Sequence, residues 1–351
     1  MKKRQAVDFL TTVFFVGILV SMMLYIGLGL ILSDGGGGER SDRFGATFYK
    51  DGEIRKFVKY CDYKLFRHVE GENVLIGNED WLFETKLEEN GYDYLLDYVG
   101  GCAYSEEQMS RFGEILQSRK NACVAQGADY LLVVIPNSMT VCSEYLPAFL
   151  GDPSSNRRLE RLGGYLAEQG VDCFLDLTEA LDALPSDRVP YNNTEDSINA
   201  YGAYAAYDAI VTRLSDYLAE DDRLRVDDVE FITRSTDGKG IAKKKGLEHI
   251  VRNKTVSLTE SMTDGYRTSE VTEHCVSTTM LDGRGENREI PVIEFSSEWD
   301  KIQLMPLLSN TFSTVVYENT VTNWIDALSY HNGTILIQMI HESELDLILQ
   351  E

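Results

Sequence analysis

The stretch YNNTEDSINAYGAY, residues 191–204, sets amides, hydroxyls and carboxylates directly before an Ala- and Tyr-rich helical pattern. On a rigid α/β scaffold, a loop entering a helix is a common place for side chains that do chemistry. Glu195 or Asp196 could in principle accept a proton there, but Ser197 could not, and the stretch contains no histidine. An unperturbed carboxylate, with a pKa of about 4, is a poor base at neutral pH. Burial or mutual repulsion would have to raise it. The plainer role for the three residues is to cap the helix that follows.

The five histidines offer no obvious substitute. His68 lies near an expected hairpin, His249 follows a run of three lysines, and His331 precedes the last apolar run. His274 stands beside Cys275, a pair too small to read as a metal site. His341 begins HESEL at the end of that last run, without the second histidine of a zinc-protease helix. The cysteines (Cys61, Cys102, Cys123, Cys142, Cys173, Cys275) match no zinc spacing, so neither a metal nor a cofactor is expected. In an oxidising compartment they predict at least one disulfide, with Cys142–Cys173 favoured because both end strands expected to lie side by side.

Lys2, Lys3 and Arg4 precede residues 9–32, a run without charge. At about 1.5 Å per residue it can cross a hydrocarbon core of roughly 30 Å. The flanking charges predict a signal anchor, residues 1–33, with its N-terminus in the cytoplasm and the rest of the chain outside. Residues 34–44, rich in Gly and charge, read as a flexible linker. Residues 45–351 read as one extracytoplasmic α/β domain with a polar insertion at about 221–288. A net charge of −24 argues against nucleic acid as a partner.

Helical spacing is predicted for 54–66, 105–128 with a Ser105–Gln108 capping box, 156–169, and from the opening stretch to about 218. NVLIGNEDWLFE reads as a hairpin with Trp81 in its core. ADYLLVVIP, VDCFLDL, IPVIEF, STVVYE and TILIQMI read as buried strands. Helices alternating with such strands predict a parallel sheet covered on both faces.

Four segments together resemble the alginate O-acetyltransferase-like family of SGNH-type hydrolases. GENVLIGNEDWLFE is similar to the family's V-x-x-G-x-x-x-W-L-F entry motif, and YLLVVIPNSMTVCSEYLP to the segment that follows. LLSNTFSTVV is similar to the stretch after the family's nucleophile. YNNTEDSINAYGAY aligns without gaps on Y-x-x-x-D-x-H-W-N-x-x-G-A-Y, keeping Tyr191, Asn199, Gly202, Ala203 and Tyr204. The resemblance runs from about residue 60 onward and implies an SGNH-hydrolase-like, flavodoxin-like fold. It also implies an extracytoplasmic protein handling acetyl groups on a cell-surface or exported polysaccharide, with a membrane-bound O-acyltransferase as a possible partner.

The departures fall on the chemistry. The family's Asp and His positions hold Glu195 and Ser197, its Trp is Ile198, and the Lys of the earlier loop is Ser138. After IPVIEF, the expected Gly-Asp-Ser-Phe turn is replaced by FSSEW, offering Ser296 or Ser297 as nucleophile. Tyr191, Asn199, Ser138 and Trp299 are the substrate-binding candidates that the resemblance leaves. A serine hydroxyl needs an adjacent base that Ser197 cannot supply. The expectation is therefore a noncatalytic binding or scaffold subunit of a polysaccharide O-acetylation or cell-envelope system. The alternative is an active O-acetyltransferase or acetylesterase using Ser296 or Ser297 with a base other than histidine, so whether the chain is an enzyme stays open.

Overall fold

The computed structural model describes residues 53–350 except 72, 89, 219, 273–274, 282–290, 297 and 319–332, together with positions 16, 17, 20, 21 and 23. Apart from those five positions, the expected membrane segment and the linker lie outside the described residues. Among the described residues no helix is long and apolar enough to cross a membrane. The chain divides into two units, residues 1–70 and 71–351. In the first, the described element is helix α1 (Glu53–Phe66).

The second unit opens with the expected antiparallel hairpin, β1 (Val74–Ile76) and β2 (Leu82–Glu84). Trp81 is in the core, as expected, stacked on Tyr145 at 4.5 Å between ring centroids. Helix α2 (Glu106–Ala125) begins at the Ser105–Gln108 capping box. Then come β3 (Asp129–Ile135), α3 (Arg158–Glu168), β4 (Phe174–Asp176) and α4 (Ala200–Arg213). The polar stretch that follows supplies an antiparallel ribbon, β5 (Phe231–Asp237) with β6 (Arg252–Leu258). It also supplies a hairpin, β7 (Tyr266–Thr272) with β8 (Cys275–Met280), which joins the main sheet. The remaining elements are β9 (Pro291–Phe295), α5 (Glu298–Ser309), β10 (Thr314–Glu318), β11 (Ile335–His341) and α6 (Leu345–Leu349).

The seven-stranded sheet runs β4-β3-β11-β9-β10-β8-β7. Its first five strands are parallel, and the β7–β8 hairpin closes one edge in antiparallel fashion. The two-residue period of the strands sorts the core into two layers. Leu131, Val133, Ile293, Ile337 and Met339 face α4 and α5, where Tyr207, Ile210, Leu304 and Leu307 meet them. Leu132, Val134, Val292, Leu336 and Ile340 face Phe112, Leu116, Leu162 and Ile348 of α2, α3 and α6. Each such side chain, fully buried, contributes roughly 1.5–3 kcal/mol. This is why the strands read as continuous apolar runs.

The same layering overturns the expected disulfide. Cys142 packs in the α4–α5 layer and Cys173 in the α2–α3 layer, so the sheet stands between them. Neither Cys142 nor Cys173 is in a disulfide. Burial pushes the Cys142 thiol well up and takes Cys173 up to about 11.

Candidate functional site

Three parallel neighbours, β3, β11 and β9, end on the same side of the sheet, where open α/β folds place their ligands. Ser296 comes directly after β9, and its backbone N–H donates to Met339 O on β11 at 3.1 Å. That bond fixes Ser296 beside the end of β11 while its side chain stays exposed. The last residue of β11 is His341, and the first turn of α5 carries Asp300. His341 Nε2 and Asp300 Oδ2 are 2.6 Å apart, with the Asp300 side chain only 1% exposed. Asp300 Oδ1 accepts from the backbone N–H of Ile198 at 3.2 Å. One carboxylate thus ties α5 to β11 and to the 191–199 loop, and it sits where a helix start favours negative charge.

Burial lowers the pKa of His341, but the ion pair with Asp300 and the nearby charges of Asp196 and Glu344 outweigh it, leaving the imidazole at about 9. His341 also donates its backbone N–H to Glu344 Oε2 at 3.0 Å. Burial pushes the Asp196 carboxyl up, against the His341 charge and hydrogen bonds from Ser138 and Tyr94. Asp196 Oδ1 is inaccessible and has no hydrogen-bond partner. Beneath the site, Glu342 accepts from Asn137 N–H at 2.9 Å, and burial drives its carboxyl up to about 8. Ser296, His341, Asp196, Tyr94, Glu84 and Glu344 border one cavity of about 300 Å³.

The loop owes its shape to neighbours on both sides. The N–H of Leu82 donates to Asn193 O at 2.9 Å, and the N–H of Lys254 on β6 donates to Asn193 Oδ1 at 2.9 Å. Gly202 lets α4 approach the loop closely, since a Cβ there would lie 2.5 Å from Pro190 O. Tyr191 is buried, its hydroxyl donating to Pro136 O at 2.6 Å. Asn199 caps α4: its oxygen accepts from Tyr201 and Gly202 N–H, and its amide donates to Val189 O and Tyr191 O. Both side chains therefore hold the loop together. They border a separate hollow of about 260 Å³ beside Trp81 and Tyr145, away from Ser296.

The sequence candidates scatter accordingly. Ser296 borders the cavity. Glu195 turns toward the ribbon, accepting from Asn192 Nδ2 at 2.9 Å and from Asn253 Nδ2 on β6 at 3.1 Å. Ser197 is half-buried and does not line the cavity. Ser138 is buried beneath Asp196. Ser297 and the Trp299 side chain lie outside the described residues.

Sequence reasoning weighed Asp196 and His341 without choosing either, and passed over Asp300. The available signal was His341 closing a buried parallel-strand run, the position from which a side chain enters such a crevice. Among the described residues no group of His, Cys, Asp and Glu is arranged to hold a metal ion.

The chain is similar to three solved structures. Bacillus cereus PatB1 with a sulfonyl adduct matches at TM-score 0.55 and 11% identity, over 78% of this chain and 96% of that one. The O-acetyltransferase domain of Pseudomonas putida AlgJ matches at 0.51 and 15%, over 79% and 98%. A DHHW family protein from Eubacterium siraeum DSM 15702 matches at 0.51 and 10%, over 78% and 95%. No family model matches the sequence, and no curated protein does. At these identities the likeness establishes the fold alone, and it is the fold that the motif resemblance implies.

Proposed function

We propose that the chain is a membrane-tethered, extracytoplasmic protein of a polysaccharide O-acetylation system, and that Ser296 carries acyl groups there with His341 as its proton partner. The observation behind this reading is the meeting, in one cavity at the strand ends, of an exposed serine and an imidazole held by a buried carboxylate. The fold it shares with an O-acetyltransferase domain supports the acyl chemistry. Ser296 Oγ would attack an ester carbonyl as its proton passes to His341. The ester C–O bond breaks, and the leaving alcohol takes the proton back. Water or a sugar hydroxyl then attacks the acyl-serine in the same way. Asp300 orients the ring and stabilises the imidazolium.

The imidazole must be neutral to accept the proton. With its pKa at about 9, His341 is almost wholly protonated at neutral pH, so reactivity of Ser296 should climb with pH and level off above about 9. A sulfonyl fluoride suits the test, because it captures an activated serine and PatB1 has been solved with a sulfonyl adduct. Peptide mass spectrometry is expected to find the adduct on Ser296, formed at a rate that follows this curve. Labelling of Ser297 alone would move the nucleophile by one residue.

A second reading, a noncatalytic binding or scaffold subunit, has one observation in its favour. His341 is held as a cation among Asp300, Asp196 and Glu344, and an imidazolium is no base. Absence of any adduct between pH 6 and about 10 would establish that reading over the catalytic one.

The tether is proposed on residues 9–32 and their basic flank. Protease added to intact cells should digest residues 45–351, and protection of that region would refute the topology. In this arrangement a membrane-bound O-acyltransferase is the natural acyl donor, and an exported polysaccharide the acceptor.

A further inference from the structure

We infer that the glycan entering the Ser296 cavity carries no acid groups, with an amine-bearing sugar polymer the best fit and polyuronates excluded. The inference rests on the reading of that cavity as the acyl-transfer site. Its ionisable lining among the described residues is Glu84, Asp196, Glu344 and His341. His341 is neutralised by Asp300 at 2.6 Å, and Glu84 by Lys244 at 3.7 Å. Asp196 and Glu344 also lie in the field of the His341 charge, but with Glu84 and Asp300 they make four carboxylates against two cations, His341 and Lys244, an excess of two negative charges. Glu344 Oε2 accepts only a neutral backbone N–H, which leaves its charge in place.

Charge alone would make this a solvated acidic rim, but Asp196 supplies an independent observation. Its Oδ1 is inaccessible and without a hydrogen-bond partner, on a side chain that borders the cavity. An unpaired buried acceptor is costly, and a ligand's donor would relieve that cost once the carboxyl turns its Oδ1 toward the cavity. A sugar ammonium or hydroxyl brings such a donor. A uronate brings a second acceptor and a like charge into a partly desolvated space, where repulsion is felt far more than in water. The net charge of −24 extends the same preference to long range.

The test is isothermal titration of the full-length chain in detergent, at pH 6.5, with β-1,4-linked oligomers of about six sugars: glucosamine, glucose and mannuronate. The glucosamine oligomer is expected to bind at least about tenfold more tightly than the mannuronate one, with glucose between them. Raising the salt should narrow the spread. Glu344→Gln, which keeps the acceptor oxygen, and Asp196→Asn should each reduce the glucosamine-to-mannuronate ratio by about threefold or more. Mannuronate binding as tight as glucosamine, no binding by any oligomer, or a ratio untouched by both variants would overturn the inference. Because the readout is binding, it stands apart from Ser296 sulfonylation. A reactive Ser296 with no charge preference refutes this inference alone, and a charge preference with an inert Ser296 refutes the acyl-transfer reading alone.

Discussion

His341→Gln is expected to slow sulfonylation of Ser296 at pH 9 by about 10²–10⁴-fold, the range for loss of a positioned general base. Asp300→Asn should act differently. The carboxylate raises the imidazole's pKa, so removing its charge moves the acid limb of the pH–rate curve below about 9. At neutral pH more of the imidazole is then neutral, yet the plateau falls because the ring loses its fixed orientation. The double variant should lose little more than His341→Gln alone, since members of one proton relay act as a unit. A purely structural His341–Asp300 pair would lower stability in both variants and leave the pH limb of the remaining reactivity unmoved. The measurement is the labelling rate across pH, with folding checked by circular dichroism.

The second large effect lies under the sheet, away from the cavity. Arg119 on α2, 3% exposed, donates from Nη1 to Gln338 Oε1 at 2.7 Å. Gln338, on β11, donates from its amide to Glu294 Oε2 on β9 at 2.7 Å and accepts from the Tyr130 hydroxyl on β3 at 2.6 Å. Three adjacent strands and a helix thus share one buried polar chain with a guanidinium at one end and a carboxyl at the other. Glu294→Leu should destabilise the domain by about 3–5 kcal/mol, because the buried cation keeps its desolvation cost and loses its counter-charge. Adding Arg119→Met to that variant should recover most of the loss, as apolar replacement of a whole buried pair often does. Denaturant midpoints of the single and double variants decide it. A double variant no more stable than Glu294→Leu would show that the chain is not acting through charge.

The sheet was legible where burial on both faces wrote it into the sequence: ADYLLVVIP, IPVIEF and TILIQMI became β3, β9 and β11. The β7–β8 hairpin was hidden, because an edge pair such as YRTSEVT with CVSTTM is mostly polar, with Arg267 to Glu270 and Ser277 to Thr279 in unbroken runs, and resembles a surface insertion. In the site, the loop motif pointed to the right region and to the wrong side chains. A gapless reading put the proton chemistry on Glu195 and Ser197, whereas the backbone turns Asp196 toward the cavity and Glu195 toward the ribbon. His341 and its carboxylate are 41 residues apart, on different elements, and nothing local to either residue announces the other. Only the parallel register of β9 and β11 places Ser296 near His341.

The strand order has a consequence for how the molecule is made. β11 lies between β3 and β9 and follows every other described strand in sequence. Until residues 335–341 arrive, β3 and β9 each present an unpaired apolar edge, the kind of surface that recruits other chains. Because synthesis runs from the N-terminus, the sheet stays open until β11 has been made. Dependence on a holding chaperone, and sharp aggregation of products truncated before residue 335, follow from the place of that one strand.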